Sequence, residues 1–370
     1  MGRTTLAGPC REVPNSLVAP GAMPARRPLL TGPMSNQPPP LNRTDQDGVA
    51  HAAAVIASSP TLALACHVTP DGDALGSMLA MHHLALAAGK QVVSSWPEPF
   101  VSAACYRSIP GLDLAVPSSR FPYEPDVMVT FDCGSVGRLK ELAEPASRAV
   151  ATGQLIVLDH HATNERFGTI NVVDTSAAAT AVVVREVARA AGWPLNRDAA
   201  TCLYVGLTTD TGHFQYSSTT PQVFALAEEL AEFDVPIARL SRELFGEHRF
   251  AYLQLASVAL ARAELDEELG LVLTSVTLAD LASHNVAYEE VEGLIEWVRS
   301  AAEAEIACVL KEAPDGFRVS LRSVSRVDVG AIAQSLGGGG HRLAAGFTMD
   351  ATREEIVAIV KARLRAHRVD

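Results

Sequence analysis

The chain has no Cys-x-x-Cys pair; its six cysteines, Cys10, Cys66, Cys105, Cys133, Cys202 and Cys308, are widely spaced. That spacing argues against a zinc ribbon or a disulfide framework and leaves reduced thiols in a cytosolic protein as the simpler reading. An uninterrupted apolar stretch of the roughly 18 to 20 residues needed to cross a bilayer is also missing. Basic excess is lacking too. With 30 Lys and Arg against 42 Asp and Glu, the net charge is -12, which argues against a large basic surface for long nucleic acid. A small phosphorylated ligand in a locally positive cleft stays compatible with that balance. Protein nucleophile signatures are absent as well. Cys133-Gly134-Ser135-Val136-Gly137 lacks the first glycine of a Gly-x-Ser-x-Gly elbow, and no Cys–His protease pattern occurs.

What is present suggests two domains, for which 370 residues suffice. Residues 1–47 are rich in proline, including Pro38-Pro39-Pro40, and carry no hydrophobic core of a signal peptide. They read as a disordered tail, within which Met34 offers a second candidate start. A first unit is expected over 48–235. Apolar runs at Leu62–His67, Val92–Trp96, Val127–Asp132 and Leu155–Asp159 alternate there with helical patterns over Leu75–Ala88, Ala177–Ala191, Asp198–Thr208 and Pro221–Glu232. Such alternation predicts an α/β fold with a mostly parallel sheet. A linker over 236–250 leads to a smaller α/β unit, 251–370. Its helices are predicted from Phe250, over Tyr288–Ser300 and from Arg353, with strands near Leu271–Val276, Glu305–Leu310 and Phe317–Arg322.

Four acidic clusters stand out: His67-x3-Asp71-x-Asp73, Asp132 in Phe131-Asp132-Cys133-Gly134, Asp159-His160-His161, and Asp210 in Thr208-Thr209-Asp210-Thr211-Gly212. Three of them fall at predicted strand carboxyl ends, where open α/β sheets bind ligands. A single aspartate of this kind is usually a helix cap or a turn residue. Five together with histidines point instead to cations, because clustered carboxylates repel one another or protonate. The oxygen-rich, imidazole-containing set suits Mn2+, with Mg2+ or Zn2+ as alternatives. Two ions about 3.5–4 Å apart clamp the attacking and leaving oxygens of a phosphoryl ester, and metal-activated water is then the nucleophile. In extended backbone His160 and His161 point to opposite sides, so one is expected to bind metal and the other to face substrate, with Asp159 fixing a tautomer. His82-His83 has no acidic partner nearby in sequence and reads as structural.

The run Gly337-Gly338-Gly339-Gly340-His341 fits neither a Walker loop nor a Gly-x-Gly-x-x-Gly fingerprint. Its backbone amides suit an anion nest. With His341 beside it and Arg322-Ser323 on a neighbouring strand, it forms a candidate phosphate or nucleotide pocket.

From about residue 48 to the end, the sequence resembles the DHH phosphoesterase family. The motifs His67-Val68-Thr69-Pro70-Asp71-Gly72-Asp73-Ala74-Leu75-Gly76-Ser77, Asp132-Cys133-Gly134, Asp159-His160-His161 and Gly206-Leu207-Thr208-Thr209-Asp210-Thr211-Gly212 stand in the family's order. The glycine run is similar to the DHH-associated C-terminal domain. Within the family the layout resembles the nano-RNase and phosphoadenosine-phosphate (pAp) phosphatase branch, whose actinobacterial-type members also hydrolyse cyclic di-AMP. The resemblance implies a cytoplasmic homodimer with the active site between its domains and two Mn2+ ions, or another divalent cation. His67, Asp71 and Asp132 would hold one ion, and Asp73, Asp132, His160 and Asp210 the other. His161 would then face the substrate, and Arg322, Ser323, Gly338, Gly339, Gly340 and His341 would hold its end. The implied substrates are cyclic di-AMP, its linear dinucleotide pApA, nano-RNA and pAp. Competing readings are a manganese pyrophosphatase, a single-strand exonuclease and a non-catalytic cyclic-dinucleotide sensor. One departure from the family pattern is noted: a Glu often follows the small-residue run, whereas here Ala178-Ala179-Thr180-Ala181 leads to Val182.

Overall fold

The computed structural model of the protein describes residues 43–324 and 327–367. The expected disorder of the proline-rich segment therefore lies, up to residue 42, outside the described residues. Regular structure starts inside that segment, with α1 (Arg43–Ser58). Val49, Ala52, Ala53 and Ile56 recur at helical spacing and are buried. Once such a face is anchored, each residue added toward the N-terminus contributes one more hydrogen bond to an existing helix.

The chain continues through β1 (Thr61–Cys66), α2 (Gly72–Ala87), β2 (Gln91–Ser95), β3 (Val127–Phe131), α3 (Ala143–Thr152), β4 (Gln154–Asp159) and β5 (Ile170–Val173). Helices α4 (Thr180–Ala190), α5 (Arg197–Asp210), α6 (Pro221–Ala231) and α7 (Ile237–Ser241) follow. The five strands form one parallel sheet in the order β2-β1-β3-β4-β5. Both faces are covered, so these strands are apolar almost throughout rather than alternating. On β1, Leu62, Leu64 and Cys66 join the core shared with α1, α2, α4 and α5, while Ala63 and Ala65 pack toward α3. From β1 the chain steps outward to β2 and then returns to the other side of β1 as β3. The strand order reverses between β1 and β3, and the crevice beyond their carboxyl ends is where such sheets bind ligands. His67, Asp71, Asp73 and Asp132 all follow these two strands.

Two glycines set how α2 meets α5. A Cβ on Gly76 would lie 2.4 Å from the Cys202 carbonyl oxygen and 2.9 Å from the Gly206 nitrogen. One on Gly206 would lie 2.6 Å from Asp73 Oδ1. Only bare backbone on both helices allows this approach, which brings Asp73 at the start of α2 toward Asp210 at the end of α5.

His82, on α2, is buried at 3% exposure, with Nδ1 2.7 Å from Ser94 Oγ of β2. This places it in the architecture and away from the acidic clusters. Burial, followed by repulsion from His83, pulls its pKa down to about 4. Between pH about 6.5 and about 4 the unfolded chain therefore binds a proton that the native state refuses. Stability is expected to fall as pH drops through that window, by roughly 2–3 kcal/mol from this residue. Urea titrations at a series of pH values should show a shallower loss in His82→Gln than in the wild-type protein. Identical profiles would refute the assignment.

After a π-helical turn at Arg242–Gly246, the second half comprises α8 (Phe250–Ala261), β6 (Glu264–Asp266), β7 (Leu271–Val276), α9 (Leu278–His284) and α10 (Leu294–Val298). It ends with β8 (Ile306–Ala313), β9 (Gly316–Ser323), α11 (Val329–Ser335), β10 (Gly339–His341), β11 (Ala344–Met349) and α12 (Arg353–His367). Its six-stranded sheet runs β10-β11-β9-β8-β7-β6, antiparallel except for the β7–β8 pair. The predicted helix over Tyr288–Ser300 is a 3₁₀ segment, Tyr288–Gly293, continued by the short α10.

The glycine run departs from its expected form. Instead of an open nest, Gly339–His341 is an edge strand paired with β11, while Gly337 and Gly340 have positive φ, +81° and +133°. Pairing engages backbone groups that a nest would turn toward an anion. Among the described residues, no helix is long and apolar enough to cross a membrane.

Candidate metal centre

Asp132 follows β3 directly and adopts a left-handed backbone, φ +54°, uncommon for a residue other than glycine. Such strain concentrates at functional sites, where surrounding contacts hold it. Here the side chain is 2% exposed, and Oδ1 accepts from Thr180 Oγ1 at 2.8 Å. Its two oxygens face opposite partners. Oδ2 lies 3.6 Å from His67 Nε2, while Oδ1 lies 3.6 Å from His160 Nε2 and 3.5 Å from His161 Nδ1.

On the His67 side, Asp71 plays two parts. Oδ1 caps α2, accepting from the Asp73 and Ala74 amides at 3.1 and 3.0 Å, while Oδ2 stays 3.9 Å from His67 Nε2. The cap reading and the ligand reading of Asp71 thus apply to different oxygens of one carboxylate. His67 itself ends the β1 turn, with Nδ1 2.8 Å from the Val68 carbonyl oxygen, which keeps Nε2 toward the aspartates.

On the other side, His160 Nδ1 donates to the Ala177 carbonyl at 3.2 Å. Nε2 is thereby turned to Asp210 Oδ2 at 3.0 Å and to Asp73 Oδ2 at 4.0 Å. Asp73 is fully buried and lies against the start of α4. The Thr180 and Ala181 amides donate to Oδ2 and Oδ1 at 2.5 and 3.0 Å, and Ser77 Oγ donates to Oδ1 at 3.0 Å. A helix N-terminus is a natural seat for a carboxylate. Thr180 belongs to the small-residue run that leads to Val182, the position noted in the sequence for its missing glutamate.

His161 differs from its neighbour. Asp159 Oδ1 lies 2.7 Å from its Nδ1, while Asp159 is anchored by the His160 and His161 amides and by Asn164 Nδ2 at 2.7, 3.2 and 2.5 Å. The ring lines a cleft of about 420 Å³ that is also lined by Gly134, Arg138, Gln334, Gly338 and Gly340. Residues from both halves of the chain therefore face one space.

Three donor groups lie within 4.8 Å of one another internally: His67, Asp71 and Asp132; Asp73, His160 and Asp210; and Asp132, His160 and His161. Their electrostatics reflect the crowding of carboxylates and imidazoles. Burial, reinforced by Asp132 and Asp210, pushes the Asp73 carboxyl well above the carboxylate range. Asp210 is pushed up to about 6, first by burial. Burial also acts on Asp132, but the His67 hydrogen bond and the charges on His161 and His160 outweigh it and hold the group below its usual value. Against the cost of burial, the Asp210 hydrogen bond and the surrounding carboxylates raise His160 to about 10. Bare, the cluster balances its charge with protons. Carboxylate and imidazole donors in this arrangement fit divalent cations, which displace those protons.

The remaining predicted residues lie on the second sheet. Arg322 of β9 is paired in register with Ala344 of β11, which is paired with His341 of β10, so Arg322 and His341 share one row across the sheet. Arg322 Nε donates to Glu296 at 3.0 Å, and Ser323 is buried. Thr180, Asn164 and Arg138 are site residues that the sequence reading passed over. The Ala-rich run ahead of Thr180 was the available signal, since it opens a helix beside the acidic clusters.

Comparison with known proteins agrees with this geometry. The DHH family N-terminal domain matches residues 61–207, and the DHHA1 domain matches residues 272–366. The chain is 33% identical, over 81% of its length and 89% of the relative's, to the bifunctional oligoribonuclease and PAP phosphatase NrnA of Thermus thermophilus. It is 26% identical to the Bacillus subtilis protein of the same name, over 78% of this chain and 89% of that one. The structure of an exopolyphosphatase-related protein from Bacteroides fragilis superposes with a TM-score of 0.80 at 24% identity, covering 87% of this chain and 96% of that one, a likeness of fold. Fold and site together define a metal-dependent phosphoesterase. The chain belongs to the DHH family, with a DHHA1 domain following its DHH domain.

Proposed function

We propose that the protein is a cytoplasmic hydrolase of short adenine-containing nucleotides, acting on nano-RNA, pApA and cyclic di-AMP as a phosphodiesterase and on pAp as a phosphatase. The observation that carries this reading is the convergence of three donor groups, two of them sharing Asp132 and two sharing His160, beside a cleft lined by both halves of the chain. In this reading two Mn2+ ions are held by His67, Asp71 and Asp132, and by Asp73, Asp132, His160 and Asp210, in a homodimer. Divalent cations there would activate water and offset charge on the phosphoryl group.

The chain's own residues supply the rest. Asp132 bridges the two halves of the centre, and the Thr180 hydroxyl holds its orientation. Asp159 fixes Nδ1 of His161, and we assign proton transfer to the leaving oxygen to the opposite ring nitrogen, Nε2. A cleft of about 420 Å³ is in the range of small-molecule sites, which favours a nucleotide or short oligonucleotide over a long strand. Arg322, Ser323, Gly338, Gly339, Gly340 and His341 are assigned to the substrate's far end, with Glu296 yielding Arg322 to the incoming anion.

A panel of pAp, pApA, cyclic di-AMP, short RNA and pyrophosphate, with Mn2+ and with chelator, tests the proposal. The expected result is kcat/KM highest on a short adenine nucleotide and at least about 100-fold lower after chelation. Faster turnover of pyrophosphate than of any nucleotide would establish the pyrophosphatase reading instead. Tight cyclic di-AMP binding with no turnover would establish the sensor.

A further inference from the structure

We propose that Arg138 binds a phosphate oxyanion of the substrate, an inference that rests on the nucleotide reading above. Arg138 lies in the 3₁₀ segment Val136–Leu142 that follows Asp132. Its carbonyl accepts from the Val68 amide at 3.0 Å, tying this segment to the loop that carries His67. Arg138 lines the cleft together with His161, Gly338 and Gly340, on the space shared by the two halves. Among the described residues, no carboxylate lies within ion-pair distance of it. Glu165 also lines the cleft and does not pair with it.

Its nearest polar partner is a histidine. Nη2 lies 2.9 Å from His67 Nδ1, the same nitrogen that lies 2.8 Å from the Val68 carbonyl oxygen. A carbonyl only accepts, so an Nδ1 that donates to Val68 has no lone pair to offer a guanidinium. The two contacts are mutually exclusive. His67 Nε2 faces Asp71 and Asp132, and a cation held there requires the proton on Nδ1, which then donates to Val68. With the centre loaded, the donors of Arg138 are therefore left to the cleft. A planar guanidinium with several N–H groups matches a phosphate better than a point charge does.

The test combines binding and turnover. Affinity for a non-hydrolysable pAp analogue is measured on Mn2+-loaded wild type, Arg138→Gln and Arg138→Lys, together with Mn2+ affinity, melting temperature, and KM and kcat on pAp and pApA. Arg138→Gln is expected to lose about tenfold or more in pAp affinity and to raise KM by a similar factor. Mn2+ affinity should stay within about threefold, and Arg138→Lys should recover part of the loss. A fall in kcat on both substrates accompanying that loss of affinity would assign the contact to the reacting phosphate. A KM effect alone would assign it to the neighbouring phosphate, and either result supports the proposal. Unchanged pAp affinity and KM, or a loss confined to Mn2+ affinity, would overturn it and leave Arg138 as a prop for His67. A wild-type protein that cleaves pyrophosphate but no nucleotide fails the functional reading itself, a different outcome from a wild-type nucleotidase indifferent to Arg138.

Discussion

Asp132→Asn should reduce kcat/KM on any substrate of this protein by at least about 10³-fold, equivalent to roughly 4 kcal/mol of transition-state stabilisation. Asp132 is the residue whose two oxygens address the two halves of the centre, one facing His67 and the other His160 and His161. The amide fills the same space and still accepts from Thr180 Oγ1, so the fold is expected to survive. What it removes is a negative charge at the junction of the donor groups. Circular dichroism should match the wild type, while the rise in melting temperature that Mn2+ produces by mass action should largely disappear. Near-normal hydrolysis by a correctly folded variant would sink the shared-ligand mechanism.

A methyl group at Gly76 should have the largest effect on stability. By intrinsic helix propensity, Gly76→Ala would stabilise α2 by up to about 1 kcal/mol. Packing opposes this, because the new Cβ would meet the Cys202 carbonyl at 2.4 Å and the Gly206 nitrogen and Cα at 2.9 and 3.3 Å. All three atoms are backbone, so no side chain can move aside and the helices themselves must separate. A net loss of roughly 2–4 kcal/mol is expected, from overpacking and lost contacts. Activity should fall with it, since Asp73 lies in the first turn of α2 and Asp210 ends α5. Gly246→Ala, where nothing lies within 4 Å of the added carbon, is the control and should change the melting temperature little. A stabilised Gly76→Ala protein would show that the interface yields more easily than its geometry implies.

Strand positions were largely legible because burial on both faces leaves continuous apolar runs. β7 spans Leu271–Val276 as read, and β1 and β4 lie within a residue of expectation. β5, only four residues long, carries too little pattern to separate from a loop. The predicted helix over Tyr288–Ser300 contains Gly293, where the 3₁₀ segment ends and α10 takes over. The glycine run suggests an anion nest because glycine permits φ > 0. Its pairing with β11 depends on a partner strand that composition does not reveal.

At the site, the sequence by itself determined which chemical groups were available: the aspartates at strand ends and the adjacent histidines, whose side chains alternate. These are local facts, set by residue type and by the alternation of side chains along extended backbone. Only the tertiary structure decided which oxygen of Asp71 caps α2 and which faces His67. It also decided that helix-borne Asp210 reaches His160, that the amides of Thr180 and Ala181 receive Asp73, and that Arg138 shares a nitrogen of His67 with Val68. Periodicity specifies the face a residue presents, whereas these contacts depend on how closely separate elements approach. In this protein that approach is governed by two bare glycines between α2 and α5 and by the reversal of strand order between β1 and β3.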